Sequence, residues 1–245
     1  KNACELEYYP ALRKKTDFTV IILPGGGYAC LAEHEGKGYA QFFAENGIDS
    51  FVLNYHISPF TFPEPLLDSR RAVRLVRANA KKYGINPNKI ALMGSSAGGH
   101  LCALTSTYTL PVDGDIVDEI DREVSFLPDF QILCYPVILR PETGYAHNGS
   151  YLNLIGREDK EKERLLDPSL NVTPSTPPAF IWHTADDQSV NVVNSLMYAK
   201  ALKDNGVSAE THIFPSGPHG MGLAKGDPLV SQWSGLLLNR IFETF

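Results

Sequence analysis

No apolar run in this 245-residue chain approaches the ~18–20 residues of a membrane-crossing helix. The longest, such as Val20-Ile21-Ile22-Leu23, are strand-sized. No basic block is present either. The 22 Lys and Arg against 28 Asp and Glu leave a net charge of −6, which argues against nucleic acid or an anionic membrane as partner. The four cysteines, Cys4, Cys30, Cys102 and Cys134, form no CxxC pair and match no zinc spacing. They read as reduced thiols of a cytoplasmic protein. No signal peptide is visible, and the opening on Lys1 leaves a removed leader open. No internal repeat of about 20–50 residues occurs, which argues against a solenoid or propeller. The phosphate loop GxxxxGK[ST] and the dinucleotide fingerprint GxGxxG are missing too.

What is present is an alternation of short apolar runs with longer amphipathic ones. Strands are expected at 18–23, 49–54, 89–94, 130–135, 180–184 and 209–214, within a total of about seven. Helices are expected at 36–46, 63–83, 96–108, 190–205 and 229–242. Strands separated by helices pair in parallel through crossovers, with helices on both faces. The expectation is therefore an α/β fold in one domain over 1–245. Two stretches interrupt the pattern. Residues 111–128 are acidic and loop-like. Residues 136–176 read as a small cap or insert, because long insertions after strand ends in an open α/β sheet lie over the ligand crevice. Arg70, Arg71, Arg74 and Arg77 fall off the apolar stripe of the 63–83 helix and read as its solvated face.

The sharpest local signal is Gly94-Ser95-Ser96-Ala97-Gly98. The pentapeptide alone is weak, but it stands between the strand Ile90-Ala91-Leu92-Met93 and a helix start. That arrangement lifts one side chain, Ser96, above the sheet, and the flanking glycines remove Cβ clashes around it. A serine hydroxyl needs a base, and the base needs an orienting carboxylate. His219, in the Gly- and Pro-rich loop Pro215–Gly222 after the last strand, is the base candidate. His212 falls inside a strand, His147 lies in the insert, and His183 comes too early for the order serine, acid, histidine. The acid is Asp186 or Asp187, with Asp187 favoured because it stands three residues before Val190. Amide donors for an oxyanion are expected from Pro24-Gly25-Gly26-Gly27-Tyr28, with Gly26 and Gly27 as candidates, and from the N–H of Ala97. Tyr28, Tyr55 and Tyr135 are candidate substrate contacts, with core packing as the competing reading.

These motifs resemble the α/β-hydrolase superfamily. Within it they are similar to small bacterial esterases related to acetyl-xylan and feruloyl/acetyl esterases. The resemblance rests on Pro24–Tyr28, Pro65–Ala80, Gly94–His100, His183–Val190 and Phe214–Leu223 in that order. It implies hydrolysis of a small ester substrate through an acyl-enzyme, without metal or cofactor, with Ser96 as nucleophile, Asp187 as acid and His219 as base. A short acyl group, acetyl above all, on a carbohydrate is the implied substrate. Amide hydrolysis or acyl transfer by the same residues, or a non-catalytic binding protein on this fold, are the alternatives. Pro24 stands where the related lipase-type loop carries a His, which leaves that loop's hydrogen-bonding support open.

Overall fold

The computed structural model describes residues 4–245. Seven strands form one sheet: β1 (Glu5–Tyr9), β2 (Thr19–Leu23), β3 (Asp49–Asn54), β4 (Ile90–Ser95), β5 (Phe130–Cys134), β6 (Ala179–Thr184) and β7 (Ala209–Phe214). Their order is β1-β3-β2-β4-β5-β6-β7. All neighbours run parallel except β1, which pairs antiparallel with β3 at the edge. Strands β2 to β6 are buried almost throughout, so their sequences are continuous apolar runs rather than alternating ones. β1, Glu-Leu-Glu-Tyr-Tyr, is half exposed and carries two acids. It has the composition of an edge strand, and no strand was expected there.

The helices are α1 (Glu33–Glu45), α2 (Glu64–Ala78), α3 (Ala80–Tyr83), α4 (Ser96–Thr107), α5 (Glu119–Glu123), α6 (Asn148–Ile155), α7 (Lys160–Leu165), α8 (Val193–Asp204) and α9 (Gln232–Thr244). The single helix expected over 63–83 is divided at Asn79, whose side chain donates back to the Leu75 carbonyl. Two cores flank the sheet. One gathers Phe51, Leu66, Val73, Leu92 and Leu104 beneath α2 and α4. The other gathers Tyr39, Phe43, Met93, Trp182 and Trp233 beneath α1 and α9. Among the described residues, no helix is long and apolar enough to cross a membrane.

The arginines of α2 require a correction. Arg70 is fully buried and Arg74 nearly so. The acidic loop 111–128 folds over that face. Asp115 accepts from Arg70 at 2.5 Å and from Arg74 at 2.6 Å, Asp118 and Asp121 clasp Arg71, and Asp129 pairs with Arg77. The two stretches that look separately solvated are each other's counter-charges, and pairing is what allows such residues to be buried.

The strand order places the site. From β2 the chain turns to β3 on one side, and from β4 it proceeds to β5 on the other. The crevice at this reversal lies between the loops that follow β2 and β4. Those are the Gly25-Gly26-Gly27 loop and the Ser96 turn.

Candidate active site

Ser96 stands at the junction of β4 and α4 with φ +52°. A non-glycine residue in the left-handed region is an observed strain, held only because the surroundings force it. Three glycines make the turn possible. A Cβ on Gly94 would lie 2.0 Å from the Gly98 carbonyl oxygen, one on Gly98 2.1 Å from the Leu23 carbonyl oxygen, and one on Gly99 2.7 Å from Pro136 Cβ. The start of α4 is thereby pressed against the end of β2, and Ser96 is brought beneath the glycine loop.

His219 reaches Ser96 from the loop after β7, with Nε2 2.8 Å from Oγ. Its Nδ1 lies 2.7 Å from Asp187 Oδ2. A carboxylate only accepts, so the ring proton sits on Nδ1 and Nε2 is left to accept from the serine hydroxyl. The loop bearing His219 is fixed at several points. Thr184 Oγ1 donates to the Gly217 carbonyl at 2.8 Å, Gly217 N–H donates to Asp186 Oδ1 at 2.8 Å, and Gly222 N–H donates to the Tyr135 hydroxyl at 2.9 Å. The two adjacent aspartates thus divide the work. Asp187 holds the imidazole, and Asp186, exposed, holds the loop.

The Asp187 carboxylate is enclosed. Burial opposes its charge, yet hydrogen bonds from His183, His219 and the Val190 N–H outweigh that cost and hold it well below the usual carboxylate range. His183, set aside in the sequence as too early, is fully buried beneath it. Its Nε2 faces Asp187 Oδ2 at 3.2 Å and the Val190 carbonyl at 2.9 Å, both acceptors, so that nitrogen carries a proton. Its Nδ1 meets Ser195 Oγ at 2.8 Å. A buried polar residue at a strand end, four before the acid, was the available signal.

The glycine loop presents free amides. Gly25 N–H is occupied by Glu35 Oε2 at 2.8 Å. Among the described residues, the N–H groups of Gly26 and Gly27 have no protein partner. The Gly26 carbonyl accepts from the Ala29 and Cys30 N–H groups at 3.0 and 3.1 Å. Because the peptide is trans and planar, the Gly27 N–H points the opposite way. A Cβ on Gly25 would stand 3.0 Å from Ser96 Cβ, so this loop lies directly against the serine. Ala97, in the first turn of α4, has an N–H with no intrahelical acceptor. From the insert, Asn153 Nδ2 donates to the Gly27 carbonyl at 2.8 Å.

Glu35 is the support that the loop's sequence leaves open. It is 2% exposed and accepts from Gly25 N–H at Oε2 and from the Tyr135 hydroxyl at Oε1, the latter at 2.6 Å. One carboxylate thus ties the glycine loop to the residue that packs on the His219 ring at 5.0 Å between centroids. It lies in the polar run Glu33-His34-Glu35 and gives no local signal beyond following the loop by ten residues. Glu35→Gln is expected to lower kcat about 10- to 100-fold with KM little changed. The amide cannot accept on both sides, and a small displacement of amide donors is costly in the transition state. Steady-state kinetics on an acetyl ester, beside a thermal melt, measure it.

Tyr28, Tyr55 and Tyr135 are not brought to an open pocket. They are 1%, 1% and 2% exposed. Their hydroxyls engage His100 Nδ1 at 2.8 Å, the Pro24 carbonyl at 2.6 Å and Glu35. Tyr28 packs on Tyr55 and His100, and Tyr135 on Trp182 and His219, so all three lie within the protein. Buried His100 is held down to about 4 by desolvation, and its Nε2 faces the Leu166 carbonyl at 2.9 Å. Among the described residues, no group of three or more His, Cys, Asp or Glu side chains is placed to hold a metal ion.

A base on a serine, a carboxylate on the base and free amides beside the serine can form and hydrolyse an acyl-serine. The BD-FAE family model matches residues 7–202. Endo-1,4-beta-xylanase B of Butyrivibrio fibrisolvens is 37% identical over 88% of the chain, and the acetylxylan esterase of Xylanibacter ruminicola 36% over 83%. The alignments cover 34% and 41% of those two relatives, so the chain corresponds to a part of each. The crystal structure of an acetyl ester-xyloside bifunctional hydrolase from Caldicellulosiruptor lactoaceticus superposes with a TM-score of 0.91 at 42% identity, covering 98% of this chain and 88% of that one.

Proposed function

The chain belongs to the BD-FAE family of α/β-hydrolases, and from that premise we propose that it is a serine esterase removing short acyl groups, acetyl first, from acetylated xylo-oligosaccharides. Residues 4–245 are read as one domain carrying the site. Ser96 attacks the ester carbonyl while His219 Nε2 takes its proton. The tetrahedral oxyanion lies toward the N–H groups of Gly26, Gly27 and Ala97. His219 then protonates the departing sugar oxygen. Water, deprotonated by the same nitrogen, releases the acid from Ser96. Asp187 keeps the imidazole proton on Nδ1 and stabilises the imidazolium.

The observation that carries this reading is the pair of contacts on one imidazole, 2.8 Å to Ser96 Oγ and 2.7 Å to Asp187 Oδ2, with the glycine loop packed against Ser96 at Gly25. The sugar half rests on the acetylxylan esterase and acetyl ester-xyloside relatives. The test is kcat/KM on p-nitrophenyl acetate, butyrate and octanoate, and acetate release from acetylated xylo-oligosaccharides. A fall with acyl length and release of acetate from the sugars are expected. Preference for octanoate overturns the short-acyl reading, and inert sugars with active aryl esters overturn the sugar reading alone.

A further inference from the structure

His147, at the start of α6 in the insert, is absorbed by none of the roles above, yet it stands at the site. Its Cε1 lies 3.9 Å from where a Cβ on Gly27 would be, and Ser150 Oγ lies 3.8 Å from the same point. The insert therefore roofs the free amides. The ring is partly buried and caps α6: Ser150 N–H donates to its Nδ1 at 3.2 Å, and Ser150 Oγ lies 2.8 Å from that atom. A nitrogen that accepts from a backbone N–H carries no proton, so the proton of the neutral ring is on Nε2. Burial and the nearby His219 lower the His147 pKa, which favours that neutral form. Among the described residues, Nε2 has no hydrogen-bond partner. The fold has fixed one face of the imidazole as a cap and left a single oriented donor beside the glycine loop.

We propose that His147 Nε2–H is a specificity-determining donor to an oxygen of the alcohol half of the substrate, a hydroxyl or ring oxygen of the sugar next to the acetylated position. This rests on the sugar-ester reading above. The choice of the alcohol half follows from what else the substrate offers. An acetyl methyl accepts no hydrogen bond, and the carbonyl oxygen already faces the amides of Gly26, Gly27 and Ala97. Directly after His147, Asn148 and Gly149 line a cavity of about 420 Å³ with Glu142, Tyr151 and Arg157. That cavity holds no reacting group, but the charged Glu142 and Arg157 on its largely apolar lining leave room and hydrogen-bonding groups for the remainder of an oligosaccharide.

His147→Asn separates the two jobs of the ring. Asn is a good helix N-cap and keeps an acceptor for Ser150 N–H, while its shorter side chain withdraws the donor. The readout is a ratio, kcat/KM for an acetylated xylo-oligosaccharide divided by kcat/KM for p-nitrophenyl acetate, in wild type and variant, with thermal melts of both. The ratio is expected to fall about tenfold, the effect of one lost hydrogen bond. An unchanged ratio overturns the assignment, as does an equal loss on both esters, which would place the ring on the shared acyl half. If the wild type itself leaves acetylated sugars intact while cleaving the aryl ester, the sugar-ester reading has failed and the assignment falls with it.

Discussion

Ser96→Ala is expected to lower kcat/KM for an acetyl ester by about 10⁵- to 10⁶-fold, leaving the residual turnover that bound amides and positioning supply without a nucleophile. The physical reason is local. Among the described residues, Ser96 carries the one hydroxyl within hydrogen-bond reach of His219 Nε2, at 2.8 Å. Its neighbour Ser95 points into the core, where Oγ meets the Tyr39 hydroxyl at 3.1 Å, and it is fully buried. Ser95→Ala is therefore a matched control and retains its ester turnover to within a few-fold. Ala also relieves none of the turn's strain, because the φ of +52° is imposed by the packing of Gly94, Gly98 and Gly99. The variant should fold as the wild type does. Steady-state kinetics with p-nitrophenyl acetate measure both variants.

The second large effect is expected of Asp187→Asn, about 10⁴-fold in kcat, against a small effect of Asp186→Asn. Asp187 satisfies four donors with two oxygens. Oδ1 takes the N–H groups of Ser189 and Val190 at 2.9 and 3.0 Å, and Oδ2 takes His219 and His183 at 2.7 and 3.2 Å. An amide has one oxygen, so its NH₂ must face either the backbone donors or the two imidazoles. Facing the imidazoles, it accepts nothing from Nδ1 and turns His219 to the tautomer that cannot take the serine proton. Asp186 offers one oxygen to Gly217 N–H, which an Asn carbonyl can still accept. The same enclosure gives a sign for stability. Because the folded carboxyl titrates below its unfolded value, its contribution is fully present above the ordinary aspartate pKa. It is lost progressively as pH falls from the ordinary aspartate pKa through the lowered folded value. Acid denaturation of Asp187→Asn compared with wild type follows this dependence.

How much of this was legible in the sequence depends on whether a residue's task leaves a local mark. Ser96 is marked by a strand, a tight turn and glycines whose absent Cβ atoms are each required by a nearby backbone. His219 is marked by a Gly- and Pro-rich loop in the right place. The parallel sheet is legible because its inner strands are buried on both faces, whereas β1 is not, since an exposed edge strand with two glutamates has no such run. The acid is narrowed to Asp186 or Asp187, with Asp187 favoured by its spacing to Val190, while the loop-holding task of Asp186 on Gly217 lies 31 residues away and leaves no local mark. Glu35, Asn153 and His147 act across long sequence separations. Glu35 reaches Tyr135 over 100 residues and Asn153 reaches Gly27 over 126, and no periodicity encodes such pairings. For the three tyrosines the sequence leaves substrate contact and core packing as equal readings, because the hydroxyl that suits a sugar equally suits a backbone carbonyl or a buried carboxylate. The arginines of α2 illustrate the same limit, for their counter-ions lie about 40–50 residues away in the acidic loop.

The account turns on whether an acyl-serine forms at Ser96. Brief treatment with a fluorophosphonate, followed by peptide mass mapping, tests it most directly. A single adduct on the peptide containing Ser96, with acetyl-ester turnover lost in proportion to labelling and no adduct in Ser96→Ala, is the predicted result. Turnover of acetyl esters that persists in the fully labelled protein or in Ser96→Ala would contradict it.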